Sequence, residues 1–118
     1  MLEIFNEENY NFTDSIINEI KLDQNTFDFL IVVDYFLGKN KSRLITLRLK
    51  NVKSFCFYMN DTETKNDLFT PYTLANIAKK KKGKLVELIV ESSLAFFSEH
   101  QNDKPLIYCL CDEIYIEK

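Results

Sequence analysis

The stretch Thr26-Phe27-Asp28-Phe29-Leu30-Ile31-Val32-Val33-Asp34-Tyr35-Phe36-Leu37 decides the fold. Phe27, Phe29, Ile31, Val33, Tyr35 and Leu37 take every second position, and Asp28 and Asp34 fall between them. A two-residue period sends alternate side chains to opposite sides of an extended chain, so the segment predicts a strand with one fully apolar face. Leu30, Val32 and Phe36 on the other face predict that this side is partly covered as well. Next, Gly38-Lys39-Asn40-Lys41-Ser42 supplies residues that reverse a chain, and residues 43–50 alternate again, with Ile45, Leu47 and Leu49 opposed to Thr46, Arg48 and Lys50. Strand, turn and strand make a hairpin. The alternation slips near Asn51: Phe55, Phe57 and Met59 keep the odd positions while Val52 and Cys56 fall on even ones. A bulge or sharp bend is expected there.

Working outward, residues 60–71 are polar and read as a surface loop. Residues 73–82 read as a short helix: Thr73 caps it, Leu74, Ile77 and Ala78 have helical spacing, and Gly83 stops it. Lys79, Lys80, Lys81 and Lys82 would then complement the partial negative charge of the helix C-terminus. Residues 85–91 fit a helix through Leu85, Leu88 and Ile89 and a strand through Val86, Leu88 and Val90; their β-branched content favours strand. Residues 95–99 and 106–111 flank a polar turn and read as a second hairpin. Even positions from Leu106 to Ile116 are apolar apart from Asp112, so the chain is expected to finish as a paired strand. The expected architecture is α+β: one domain, 1–118, with a twisted antiparallel sheet of six or seven strands and one short helix.

Charge narrows the partner. The 118 residues carry 15 basic and 18 acidic side chains, but five of the basic ones lie within 79–84, and the remainder of the chain holds 10 against 18. An acidic body repels phosphate backbones, whose affinity scales with the number of cationic contacts, so nucleic acid is not an expected partner. The most apolar stretch is interrupted by Asp28 and Asp34 and is shorter than the roughly 20 residues of a membrane helix. The opening residues 1–8 lack the basic region and apolar run of a secretory signal, which predicts a cytoplasmic protein. Cys56, Cys109 and Cys111 are odd in number, and the last two share one strand face, where side chains run parallel instead of converging; reduced thiols are expected. With His100 the only histidine, the sequence offers neither a metal-ligand set nor a cofactor motif.

No pattern for catalysis emerges. The two glycines, Gly38 and Gly83, are too far apart for a phosphate loop. In Ser98-Glu99-His100, neighbours on a strand alternate faces, so Glu99 could not orient the ring. Asp28 and Asp34 share a strand face about 20 Å apart at ordinary strand rise, too far to act on one bond.

The segment Asn11-Phe12-Thr13-Asp14-Ser15-Ile16-Ile17-Asn18-Glu19-Ile20, followed by a long alternating strand, a turn and Leu47-Arg48-Leu49-Lys50-Asn51-Val52, resembles small bacterial proteins that open with a Phe-His-Asp-Ser strand. These carry a later Leu-x-Phe-x-x-Val segment, and some are read as immunity proteins of polymorphic toxin systems. Here Thr13 stands where those proteins often have histidine and Leu49 where they often have phenylalanine. From the residues alone, Asp14 and Ser15 can bond nearby backbone groups and fix a turn or strand entry, and a helix capped by Asp14 that carries Ile16, Ile17 and Ile20 fits as well; the resemblance favours strand. It implies a non-catalytic protein that binds and neutralises a basic toxin domain, and a self-associating accessory domain, a homodimer, is the alternative. The residues expected to carry binding are the carboxylates Asp14, Asp28 and Asp34, which steer an encounter, and the aromatic anchors Tyr35 and Tyr58.

Overall fold

The computed structural model describes residues 2–58, 73–92 and 105–117. The strands in chain order are β1 (Leu2–Ile4), β2 (Ile16–Asp23), β3 (Asp28–Gly38), β4 (Lys41–Lys50), β5 (Ser54–Phe57), β6 (Leu74–Lys82), β7 (Leu85–Ser92), β8 (Ile107–Cys111) and β9 (Glu113–Glu117), and the only helical element among the described residues is a 3-10 turn, Glu7–Asn9. All pairings are antiparallel. The first sheet runs β1-β9-β4-β3-β2 and the second β5-β8-β7-β6.

The hairpin that the alternating stretch predicts is β3–β4, with Ile31 opposite Leu47 and Val33 opposite Ile45. Its turn residues Lys39 and Asn40 both have positive φ, 50° and 62°, the backbone hand whose twist matches two paired strands. Ile31, Val33, Ile45, Leu47 and Leu49, with Ile114 and Ile116 of β9, form the buried inner face of the first sheet. They meet Leu74, Ile77, Val86, Leu88, Val90, Ile107, Cys109 and Cys111 from the second sheet in one core. The three cysteines are free thiols, Cys109 and Cys111 side by side in that core.

The fold is all-β, which corrects the α+β expectation. The expected helix at 73–82 is instead strand β6 from Leu74 to Lys82, with Thr73 in an isolated bridge to Ile16, and a bulge between Leu74 and Asn76 inserts one residue into β6. That insertion turns Leu74 and Ile77 to the same side, so a three-residue spacing that imitates a helix serves a strand. A second bulge, between Ile17 and Glu19, does the same for Ile17 and Ile20 in β2, the strand that the resemblance favoured. Residues 85–91 are strand, as their β-branched content indicated. The expected six or seven strands become nine among the described residues. The loop expected at 60–71, the 95–99 half of the second hairpin and Ser98-Glu99-His100 lie outside the described residues.

Two strands pass from sheet to sheet at adjacent corners. β4 bends into β5 at Asn51, whose φ is 51°, where the sequence pattern slips. β8 bends into β9 at Asp112, and there the buried side chains change from odd positions (Ile107, Cys109, Cys111) to even ones (Ile114, Ile116). The corners are tied by Asn51 Nδ2 donating to Asp112 Oδ2 at 2.9 Å, Lys53 N–H to the Leu110 carbonyl at 2.8 Å and Asp112 N–H to the Lys50 carbonyl at 2.9 Å.

Residues 5–15 cover one opening between the sheets. Phe5 and Phe12 are buried, and with Tyr10 and Tyr35 they form an aromatic cluster with centroids 5.2–6.0 Å apart. Lys79 Nζ holds this segment by donating to the Phe5 carbonyl at 2.8 Å while pairing with Glu113 Oε1 at 2.6 Å.

Candidate functional site

At the start of β2 the chain makes a tight, fully bonded turn. Asn11 Oδ1 accepts from Thr13 N–H at 3.1 Å, and Ser15 N–H donates to the Phe12 carbonyl at 3.0 Å. Thr13 Oγ1 donates to the Ala75 carbonyl at 3.1 Å, while Asp14 N–H donates to the Leu74 carbonyl at 2.9 Å and Leu74 N–H to the Ser15 carbonyl at 2.7 Å. These bonds pin the turn to β6 and hold Asp14 at φ 69°, a left-handed conformation that Asp tolerates better than most residues. Ser15, fully buried, uses its Oγ to accept from Phe36 N–H at 3.0 Å. Ser15 thus fixes the strand start through its side chain as expected, and Asp14 does so through its backbone.

Facing this turn is the end of β3. Tyr35 is clamped there: its hydroxyl accepts from Asn11 N–H at 3.0 Å, its ring stands edge-on to Phe12, and Arg43 lies 6.0 Å from its centroid. Between the two segments runs an open groove of about 390 Å³, with Asn11, Thr13 and Asp14 on one wall and residues 35–38 on the other.

Beside the groove the outer face of the first sheet is apolar. Ile16, Asp34 and Leu44 stand in one cross-strand row, and Phe36 follows Asp34 on the same face. Ile16, Phe36 and Leu44 are 39%, 41% and 59% exposed. The carboxylates of Asp14 and Asp34 have no ion pair or hydrogen bond among the described residues. Asp14, Asp34 and Tyr35 are therefore brought to one end of one sheet.

Asp28 and Tyr58 are placed elsewhere. The Asp28 side chain is buried, accepting from Arg48 Nη1 at 3.0 Å and from Asn51 N–H at 2.9 Å. Arg48 also binds Glu117 Oε1 through Nε at 2.8 Å and lies 3.8 Å from Asp23. Burial alone would raise the Asp28 carboxyl, but bonds from Asn51 and Arg48, helped by Thr26 and Lys50, outweigh it and hold the group below the ordinary carboxylate range. Asp28 is committed to the fold, which corrects its place among the residues facing a partner. Tyr58 follows β5 in the second sheet, where its N–H donates to the Leu106 carbonyl at 2.8 Å, and its hydroxyl is pushed up by a hydrogen bond with Cys56.

Ile16, Phe36 and Leu44 were missed as site residues. Their signal was present: Phe36 and Leu44 put large apolar groups on the faces of their strands that lie opposite the core-facing stripes. The arrangement sets apolar contact area beside negative charge that is unpaired among the described residues, a combination suited to recognition. Among the described residues no group of three or more His, Cys, Asp or Glu side chains is arranged to hold a metal, and no helix is long and apolar enough to cross a membrane. No protein-family model, curated protein or solved structure matches the chain.

Proposed function

We propose that the chain is a non-catalytic protein-binding domain of the immunity type, acting in the cytoplasm, which engages a basic partner such as a toxin domain through the groove end of its first sheet. The observation that carries this reading is the placement of two carboxylates, Asp14 and Asp34, unpaired among the described residues, beside the exposed Ile16, Phe36 and Leu44. Apolar anchors supply contact energy and unpaired carboxylates speed the approach of a cationic surface. The acidic balance outside 79–84 supports the sign of the partner's charge.

A second reading, self-association, has its own observation: β1 is an edge strand with Leu2 and Ile4 exposed on the outer face. Size-exclusion chromatography with light scattering separates the two. The first reading expects a monomer alone and a 1:1 complex with a candidate basic toxin domain, weakened by salt and abolished by Leu44→Glu. A homodimer that binds no such candidate establishes the second reading and overturns the first.

A further inference from the structure

Asp34 is the odd charge on the outer face of the first sheet. The other charged side chains on that face of β2, β3, β4 and β9 have ionic partners: Arg48 meets Asp23, Asp28 and Glu117, Lys50 meets Asp28, Lys21 meets Glu19, and Glu113 meets Lys79. Asp34 has none among the described residues. The chain's own Arg43 stands opposite Tyr35, on the other face of β3, and lies over that ring.

The neighbours of Asp34 on its face are apolar on all four sides. Ile16 and Leu44 stand directly opposite it on β2 and β4, about 4.5–5.5 Å away at ordinary cross-strand spacing. Val32 and Phe36 lie two residues before and after it along β3, about 7 Å off at ordinary strand rise. Asp is disfavoured in strands, and a carboxylate ringed by apolar side chains gives up hydration without a counter-charge in return. Such a position destabilises the free chain, and an arriving cation reverses that.

The charge fixes the sign of the occupant and the surroundings fix its shape. Ile16, Phe36 and Leu44 are open to solvent; with a partner resting on them they screen the contact at their centre from water, as the rim does around the strongest contacts of protein interfaces. A guanidinium suits this position better than an ammonium. It holds a carboxylate through two parallel N–H bonds, is more weakly hydrated, and lies flat on an aromatic ring such as that of Phe36.

The geometry points to an arginine site: one arginine of the basic partner binds the Asp34 carboxylate inside the apolar ring of Ile16, Val32, Phe36 and Leu44. This rests on the reading of that end of the sheet as the recognition surface and names the group it selects. Asp14 is exposed on its turn and contributes to the approach alone.

The test is a chemical-shift titration of the whole chain with the tripeptide acetyl-Leu-Arg-Leu-amide, alongside versions carrying lysine or the uncharged isostere citrulline in place of arginine. The arginine peptide shifts the amides of residues 16, 34, 36 and 44 and the methyl groups of Ile16 and Leu44. It binds more tightly than the lysine version, and the citrulline version binds most weakly. Asp34→Asn weakens the arginine peptide by more than about fivefold, the upper limit of an exposed ion pair, whereas Asp14→Asn stays within that limit. In the free chain Asp34→Thr raises the denaturant midpoint, where loss of a carboxylate needed by the fold would lower it. No shifts at roughly 10 mM peptide, equal binding of the arginine version and either substitute, a loss within the fivefold limit in Asp34→Asn, or a lowered midpoint in Asp34→Thr each overturn the site. With a candidate basic toxin domain in place of the peptide, a complex untouched by Asp34→Asn overturns the arginine site and leaves the recognition reading in place. Peptide binding as described with no complex of any candidate does the reverse.

Discussion

Phe27 sits at the tip of the β2–β3 hairpin with φ 59° and its ring 69% exposed. A bulky side chain in the left-handed region costs about 1–2 kcal/mol, and so exposed a ring returns little by burial. Phe27→Asn should therefore stabilise the protein by about 1 kcal/mol, read as a raised denaturant midpoint with an unchanged slope. Asp28 predicts the opposite. Removing its charge leaves Arg48 with a weakened buried partner, so Asp28→Asn should cost about 3 kcal/mol. Because the folded carboxyl lies below its unfolded value near 3.9, the stability it contributes is complete above about pH 4 and is lost as pH falls through the folded value. The wild type should lose stability across that acid window, and Asp28→Asn should flatten the loss in pH-dependent urea titrations. Asp28 and Asp34 look equivalent in the sequence, two acids on the same side of one strand. Only register distinguishes them: Arg48 stands opposite Leu30, next to Asp28, whereas Asp34 lies between Leu44 and Ile16. That register depends on the left-handed pair Lys39 and Asn40, so the hairpin was legible and the pairing of its charges was not.

At the scale of elements, the strands with unbroken alternation were readable and the bulged ones were not. β3 and β4 keep a period of two across their core-facing residues, whereas a single inserted residue gives β6 the spacing of a helix. The lysine run then changes meaning: on an edge strand, Lys80, Lys81 and Lys82 deter pairing with other chains instead of complementing a helix end. Lys79 has a separate task, holding the Phe5 carbonyl and the Glu113 carboxylate. Burial opposes ionisation of Glu113, and the hydrogen bonds from Lys79 and Ile114 N–H overcome it and depress the carboxyl. Lys79→Met should cost about 2 kcal/mol, as hydrogen bonds to charged groups do. Hydrogen exchange should show the loss first in residues 5–12; uniform loss of protection across both sheets would mean that Lys79 does not secure that segment in particular.

The whole molecule is asymmetric. Every large apolar side chain that is strongly exposed among the described residues, from Leu2 to Leu44, belongs to the first sheet or its β2–β3 turn. Of these, Ile16, Phe36 and Leu44 cluster at one end of the outer face, and a contiguous exposed apolar cluster is the kind of surface that interfaces use. The corners at Asn51 and Asp112 fold one pair of antiparallel strands over itself, which puts that sheet's inner residues into the shared core and leaves its outer face open. In the sequence this asymmetry was visible only as Leu30, Val32 and Phe36 facing away from the main apolar stripe; the corner at Asp112 reverses the alternation and hid which side of β8 is buried. The direct measurement is amide hydrogen exchange of the chain alone and in complex with the basic partner proposed above. Protection should concentrate on residues 14–16 and 34–44, and Leu44→Glu should remove it. Protection centred on the second sheet, around residues 80–85 and 106–110, would contradict the account.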